Sequence, residues 1–380
     1  MSNQVSAADF SLLDPVVRAN PYPYYAALRR ESPVHRMLPN APFFAISRYQ
    51  DIQQILQRPG DFSSTAFQTL FQGGGLGLGP NSGALAGHRL IDSPMLISVD
   101  PPRHPRLRGL VNRGFTPRRI AALEPRLRGL ATGCIEAVLS HGRMDLVRDL
   151  SIPFPVTVIA ELLGVEPDRR SDFKRWSDAT VVGLSGIAGE FTQDAVRKHA
   201  DEMADYIDRI VAARRAQPKD DLISILVQAE EGDALSTGEV LSFVFLLLVA
   251  GNETTTNLIG NAIKALLEHP RQLDELVAKP ELIPGMIEEV LRYDSPVQTL
   301  PRIATRGVEL GGGRVEEGSF LMLLFASGNR DEKQFFEADR FDIHRQPQGH
   351  LAFGHGIHFC LGASLARLEA RVALESLLLR

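Results

Sequence analysis

Cys360 stands at the end of a glycine-rich segment and directly before an apolar run, residues 361–379, that is typical of a helix. The segment reads Phe353-Gly354-His355-Gly356-Ile357-His358-Phe359-Cys360-Leu361-Gly362. The positive end of a helix dipole favours the thiolate form of a cysteine at the helix N-terminus. Gly354 and Gly356 allow the backbone to fold tightly beneath the sulfur, and Gly362 has no side chain to keep a large, flat group away from the helix. A thiolate with no second cysteine nearby is what an axial ligand of haem iron requires.

Two other interpretations of these residues were weighed. A lone cysteine is usually a small, buried apolar residue, and we interpret Cys134, within the predicted helix 123–139, in that way. His355, His358 and Cys360 could also indicate zinc, but closed zinc sites normally need four ligands, often in paired short spacings. The sequence has no complementary ligand cluster elsewhere, so the pattern favours haem.

The segment matches every fixed position of the pattern Phe-Gly-x-Gly-x-His/Arg-x-Cys-x-Gly, and it therefore resembles the haem-binding loop of the cytochrome P450 family of haem-thiolate monooxygenases. The resemblance extends from Asn20-Pro21-Tyr22-Pro23 through Ala160-Glu161-Leu162-Leu163-Gly164-Val165 to the last helix, and it is closest to the soluble bacterial branch. It implies haem b as the cofactor, Cys360 as the ligand of the metal, and Phe353 and Gly362 as cofactor-binding residues.

A second unusual segment, Ala250-Gly251-Asn252-Glu253-Thr254-Thr255, lies inside the longest predicted helix. An interior glycine costs about 1 kcal/mol relative to alanine, and a carboxylate in an apolar helix is a further cost. Such violations indicate a functional site, although Glu253 could simply face solvent. The segment resembles the oxygen-activating helix of the family. This implies that Ala250 and Gly251 leave a groove for dioxygen, that Thr254 hydrogen-bonds the oxygen through water, and that Glu253 relays protons.

A third segment, Glu289-Val290-Leu291-Arg292, pairs opposite charges three residues apart on a predicted helix. Most such pairs are solvated surface bridges that contribute little. The family resemblance implies instead a buried pair on the thiolate side of the haem, completed by a residue of a later irregular segment. Asp339-Arg340-Phe341 matches that segment and predicts Arg340 as the third member.

Four basic residues are candidates for binding the haem carboxylates. His104 and Arg108 are four residues apart and share one helical face; Arg302 follows Pro301, and His358 lies two residues before Cys360. Arginine binds carboxylates in a bidentate manner. Each residue taken alone could be an exposed basic side chain, and their role as carboxylate ligands is what the resemblance implies.

A basic cluster of arginines lies on and close to the predicted helix 104–113, although the chain has a net charge of −5. A run of charges is usually a solvated face, but complementary charge also steers association between proteins. On the family's fold this helix borders the thiolate side, where an acidic ferredoxin-type donor docks. The cluster consists of Arg103, Arg106, Arg113, Arg118 and Arg119.

The composition is that of an ordinary globular protein, with 44% hydrophobic and 23% charged residues. The net negative charge does not imply nucleic-acid binding. The two cysteines, far apart, fit a reducing cytoplasm. No signal peptide is evident in Met1–Pro15, and the most apolar run, Val240–Ala250, is too short to cross a membrane. We therefore expect a cytoplasmic protein without a membrane anchor.

The patterns predict a mainly α fold with a minor β region, and the resemblance implies the cytochrome P450 fold as one domain, residues 1–380. The β-rich parts are expected at about 30–65 and 295–350, and residues 63–98 form the least regular segment. Family members continue after the cysteine's helix into a final β hairpin, which this sequence, ending at Arg380, does not include. Predicted helices are 104–113, 118–139, 155–163, 168–181, 190–215, 220–230, 236–268, 270–277, 284–293 and 361–379.

The resemblance implies a monooxygenase that inserts one oxygen atom from dioxygen into a hydrophobic small molecule. Electrons would come from NAD(P)H through a ferredoxin and its reductase, because the sequence has no flavin or iron–sulfur motif. The segments expected to line the pocket, 63–98, 176–195, 247–250 and 297–300, are mostly apolar. A peroxide-driven peroxygenase or haem isomerase is the alternative enzyme, and a haem sensor or carrier is the alternative that is not an enzyme. Both tend to lack the acid–alcohol pair seen at Glu253 and Thr254.

Overall fold

The computed structural model describes residues 5–69, 84–185, 191–228 and 234–379. The chain divides into two compact units. The first consists of residues 1–66 and 261–360, and the second of residues 67–260 and 361–380. Much of the segment 63–98, predicted to be irregular, lies outside the described residues.

The described residues are mostly helical, which confirms the predicted fold class. The helices are α1 (Pro15–Ala19), α2 (Tyr22–Glu31), α3 (Tyr49–Gln57), α4 (Ala66–Thr69), α5 (Arg89–Asp92), α6 (Arg103–Asn112), α7 (Pro117–Ala122), α8 (Glu124–Leu139), α9 (Pro153–Leu163), α10 (Arg170–Ser185), α11 (Gln193–Ala216), α12 (Leu222–Val227), α13 (Thr237–Glu268), α14 (Pro270–Ala278), α15 (Ile283–Tyr293), α16 (Phe325–Gly328) and α17 (Ala363–Leu378).

The strands of the described residues all belong to the first unit. They are β1 (Val34–Arg36), β2 (Phe43–Ile46), β3 (Phe62–Ser63), β4 (Thr299–Ala304), β5 (Val308–Leu310), β6 (Gly313–Val315) and β7 (Phe320–Leu324). Five of them form a sheet in the order β1-β2-β7-β4-β3, in which only β2 and β7 are parallel. Strands β5 and β6 form a hairpin, whose turn residues Gly311 and Gly312 have φ of 56° and 82°. Positive φ at both turn positions favours glycine there.

The predicted helices agree with the structure except for 118–139, which is wrong as a single helix. The chain breaks at Leu123, between α7 and α8. Pro125 is the reason, because proline has no N–H for the preceding turn and is tolerated only in the first turn of a helix.

Each unit has its own apolar core. In the first unit, side chains of α3 and of the five-stranded sheet pack around Ile52, Phe62 and Leu321. In the second, the largest cluster joins α9, α10, α11 and α13 around Trp176 and Phe245. Among the described residues, α13 alone is long and apolar enough to cross a membrane by length and composition, and a core helix passes the same test.

Candidate active site

The segment 350–360, here called the cysteine loop, belongs to the first unit. Gly354 and Gly356 both have φ of 69°, and a Cβ on Gly356 would overlap the carbonyl oxygen of Leu56 in α3. Glycine is therefore required at these positions, as the sequence predicted. The Cys360 N–H donates to the Phe353 carbonyl at 2.8 Å, which closes the loop directly before α17.

Two of the four predicted carboxylate-binding residues lie in this first unit. His358 hydrogen-bonds through Nε2 to the Ser64 hydroxyl at 2.9 Å. Arg302 is buried on β4, where Nη1 donates to the Pro301 carbonyl at 2.7 Å. Arg302, Phe353, His358 and Cys360 thus share one compact unit, whereas the other predicted site residues belong to the second.

His104 and Arg108 lie one turn apart on α6 in the second unit. Burial, together with the nearby Arg108 guanidinium, lowers the pKa of His104, and Asp100 partly opposes this. The imidazole therefore favours its neutral form, which can offer an N–H to a carboxylate but not a full charge. Arg108 keeps its charge, and its Nε donates to Asn112 at 3.0 Å.

The middle of α13 directs consecutive polar side chains to different neighbours. Thr254 Oγ1 donates to the Ala250 carbonyl at 2.6 Å, and buried Asn252 donates to Ser177 of α10 at 3.4 Å. Glu253 keeps access to solvent, yet the surrounding protein desolvates it enough to raise the pKa of its carboxyl. The carboxyl therefore holds its proton to a higher pH than an ordinary glutamate.

Gly251 has a packing explanation that the sequence did not predict. A Cβ at this position would lie 2.8 Å from Cδ1 of Ile159, so glycine allows α13 to lie close to α9. The missing side chain points at α9, so close packing of these two helices is one reason for the glycine. The proposed dioxygen groove at Ala250 and Gly251 remains a prediction.

Glu369 was missed by the sequence analysis. It lies on α17, is almost fully buried, and its carboxyl is hydrogen-bonded by Thr255 of α13. Burial raises the pKa of Glu369 to about 8, an effect that the Thr255 hydrogen bond partly offsets, so the carboxyl is mostly protonated at neutral pH. The available signal was a lone carboxylate in the apolar run 361–379.

The Glu289–Arg292 pair is completely buried and bidentate, with N–O distances of 2.8 and 2.9 Å. The predicted third member, Arg340, contributes its backbone carbonyl, which accepts from Arg292 at 3.2 Å, but the prediction is wrong for its side chain. Arg340 is 59% exposed and pairs with Glu337 and Asp342, whereas Arg345 is 14% exposed and reaches Glu289 at 3.1 Å. Arg345 takes this place because its guanidinium also donates to the carbonyls of Phe336 and Glu337, at 2.6 and 3.1 Å.

The basic cluster on α6 and α7 is partly neutralised within the second unit. Arg103 and Arg106 pair with Glu239 of α13, and Arg119 pairs with Asp220. Arg113 and Arg118 are exposed, and no carboxylate among the described residues forms an ion pair with either. The uncompensated positive charge is therefore that of Arg113 and Arg118.

The side chains present fit a haem-thiolate centre. Cys360 is not in a disulfide, and a single thiolate from a tight loop is the donor that such a centre uses. Apart from its own chain neighbours, no described residue lies within 4 Å of the position that a Cβ on Gly362 would take, which leaves open space at this point. Within the ranges that the structure describes, no three His, Cys, Asp or Glu side chains are grouped to hold a metal ion. His355 and His358 instead contact Gln57 and Ser64.

Comparison with known proteins gives one consistent result. The family model described as Cytochrome P450 matches residues 184–278 and 275–380. Vitamin D(3) 25-hydroxylase of Pseudonocardia autotrophica is 41% identical over 362 residues, which are 94% of this chain and 85% of that relative.

Solved structures are also similar over almost the whole chain. Cytochrome P450 CYP109Q5 from Chondromyces apiculatus has a TM-score of 0.86 and 43% identity, covering 98% of this chain and 91% of that one. CYP109E1 from Bacillus megaterium, solved in complex with testosterone, has a TM-score of 0.81 and 38% identity, covering 94% and 89%. The chain therefore belongs to the cytochrome P450 family of haem enzymes and is a monooxygenase.

Proposed function

We propose that Cys360 binds the iron of haem b and that the enzyme inserts one atom of dioxygen into a hydrophobic small molecule in the cytoplasm. The observation that carries this proposal is the cysteine loop, in which two left-handed glycines and the Cys360–Phe353 hydrogen bond hold one thiol in a tight turn before α17. Bound haem would supply the activation of dioxygen. The reaction consumes two electrons and two protons, and the second oxygen atom leaves as water.

Arg108, Arg302, His104 and His358 are proposed to bind the two haem carboxylates. The arginines would contribute charge, and His104 would contribute a neutral N–H donor because its pKa is lowered. Ser64 hydrogen-bonds His358 through Nε2 and so fixes the orientation of the ring.

Glu253 and Thr254 are proposed to deliver protons. Because the Thr254 hydroxyl donates its own proton to Ala250, its oxygen is left to accept a hydrogen bond and so to orient a water molecule. Glu253 has access to solvent, and the raised pKa of its carboxyl keeps it protonated to a higher pH than an ordinary glutamate. Both properties suit it to pass protons inward.

Replacing Thr254 with alanine should leave substrate binding intact while diverting electrons from product to peroxide. We expect product formed per NAD(P)H consumed to fall about tenfold or more, since a positioned proton donor contributes about 10²–10⁴-fold. Thr254→Ser keeps the hydroxyl and should stay close to wild type. Unchanged coupling in Thr254→Ala would show that the proton path does not use this hydroxyl.

The pH dependence of coupling should report Glu253. Its raised pKa means that the protonated donor is present at low pH and is lost as pH rises through that pKa. Coupling in the wild type should therefore decline on the alkaline side, and Glu253→Gln should be low throughout and lack this limb. A Glu253→Gln profile with the same limb as wild type would assign the titration to another group.

The electron donor is proposed to be an acidic ferredoxin that docks on the exposed arginines of α6 and α7.

Arg113→Glu with Arg118→Glu should slow reduction by ferredoxin, most of all at low ionic strength, because surface charges act on encounter rates and are screened over about 8 Å at physiological salt. Ligand-binding spectra should not change. The matched control is Lys198→Glu with Arg209→Glu, the same change of charge on exposed residues of α11. Equal reduction rates in both double variants and wild type would place the docking surface elsewhere.

The substrate is proposed to be a hydrophobic molecule such as a steroid, terpenoid, fatty acid or polyketide. Support comes from the apolar segments expected to line the pocket and from the relatives, which include a vitamin D(3) hydroxylase and a testosterone-bound structure.

Turnover with isotopically labelled dioxygen and a ferredoxin system tests the reaction, because one labelled atom should appear in the product. Product formed only when peroxide is added would instead indicate a peroxygenase.

A further inference from the structure

Asn329 is a completely buried residue that directly follows α16 and joins three segments of the first unit. Its Oδ1 accepts from the Leu351 N–H at 2.6 Å. Its Nδ2 donates to the Ser295 hydroxyl at 2.8 Å, just beyond the end of α15. Its backbone carbonyl accepts from Arg292 at 3.0 Å. The amide therefore uses its acceptor and its donor on two different segments.

Leu351 opens the short helical turn Leu351–Phe353 within the cysteine loop. The carbonyl of Phe353 accepts the hydrogen bond from Cys360 at 2.8 Å. A path of consecutive contacts thus runs from Asn329 through Leu351 and Phe353 to Cys360. The Leu351 side chain also packs closely against Gly328, the residue before Asn329, because a Cβ on Gly328 would lie 2.9 Å from Cδ1 of Leu351.

A second contact holds the same end of the loop. His350 accepts from the Ala352 N–H through Nδ1, so its Nε2 carries the proton and donates to Glu288 of α15 at 3.1 Å. Glu288 lies on α15 and Ser295 lies two residues after its end. The His350–Glu288 and Asn329–Ser295 hydrogen bonds therefore both connect the start of the cysteine loop to the C-terminal half of this helix.

We propose that Asn329 is a positioning residue for the haem thiolate: by holding the Leu351 N–H it fixes the loop that presents Cys360. The proposal rests on the proposed function of Cys360. An amide fits this position because it supplies an acceptor and a donor at fixed spacing, whereas an apolar side chain would leave the Leu351 N–H buried and unpaired.

Three variants separate the two side-chain hydrogen bonds. Asn329→Ala removes both, and Asn329→Asp keeps an oxygen for Leu351. Ser295→Ala removes the Nδ2 contact of Asn329, together with the bond from the Ser295 hydroxyl to the Leu291 carbonyl, and keeps the Leu351 contact. Amide hydrogen exchange of peptides covering 350–354 reports the loop without reference to turnover. The absorption spectrum of the reduced carbon monoxide complex reports thiolate ligation, because a displaced or protonated thiol gives the band at shorter wavelength.

We expect Asn329→Ala to speed exchange at Leu351 about tenfold, as for the loss of one buried hydrogen bond, and to move a substantial fraction of the protein to the shorter-wavelength band. Ser295→Ala and Asn329→Asp should keep the wild-type band. Wild-type exchange and spectrum in Asn329→Ala would overturn the inference. If Asn329→Ala takes up no haem, the spectrum of Asn329→Asp tests the inference instead. This variant keeps the oxygen that accepts from the Leu351 N–H, so a shifted band in it would contradict the role of that contact. Absence of the thiolate band in the wild type itself would overturn the proposed function instead.

Discussion

Replacing Cys360 with alanine should abolish the long-wavelength band of the reduced carbon monoxide complex, the band that gives the cytochrome P450 family its name. The expected loss is complete, because the band reports thiolate ligation and alanine has no sulfur to replace the Cys360 thiolate. Difference spectra of the purified, haem-reconstituted protein measure this directly. Product formation with a ferredoxin system should disappear with the band.

Cys134→Ala is the matched control. Burial raises the pKa of the Cys134 thiol, and the residue packs beside the apolar cluster of α8 and α9. A neutral, packed thiol is not suited to bind a metal, so its removal should leave the band unchanged. Survival of the band in Cys360→Ala, or its loss in Cys134→Ala, would contradict the assignment of the iron ligand.

Breaking the buried cluster of Glu289, Arg292 and Arg345 should cause the largest loss of stability among simple substitutions in the first unit. Glu289→Gln leaves two guanidinium groups without their carboxylate, and Arg292 has no access to solvent. Removing one partner of a buried pair costs about 3–5 kcal/mol. Urea denaturation should show this as a lower free energy of unfolding, together with weaker retention of haem.

Arg345→Ala and Arg340→Ala form a direct comparison within the same loop. Arg345→Ala removes one cation from Glu289 and the guanidinium hydrogen bonds to the carbonyls of Phe336 and Glu337, so we expect a loss of about 2–3 kcal/mol. Arg340→Ala removes solvated ion pairs and should cost less than about 1 kcal/mol. Equal losses in the two variants would contradict the assignment of Arg345 as the partner of Glu289.

These two arginines also show why some features could be predicted and others could not. The glycines of the cysteine loop were predictable because their requirement is local, a left-handed backbone or a close approach at one position. The choice between Arg340 and Arg345 depends on which guanidinium meets a set of carbonyls formed by the folded loop 336–340. Both residues lie within a few positions of each other, so spacing alone does not separate them.

The burial of Glu369 and the packing of Gly251 against α9 could not be predicted for a related reason. An apolar run predicts a helix and its core face, but it does not show that one carboxylate on that face meets a threonine of α13. Gly251 was interpreted from the family pattern, whereas its nearest neighbour is Ile159 of α9, about ninety positions earlier in the chain. In both cases the partner comes from a different helix, and helical periodicity contains no information about that partner.

The contact between Gly356 and the Leu56 carbonyl has a consequence for engineering. The backbone of the cysteine loop rests on the C-terminal turn of α3, so a library that randomises Gly356 would consist mainly of misfolded members. Substitutions that are meant to tune the electronic properties of the iron should instead be made in α3, the helix that contacts the loop. Gln57 is an exposed residue of that helix that contacts His355 of the loop at 3.0 Å, so its side chain can be varied without the backbone overlap that a Cβ on Gly356 would cause.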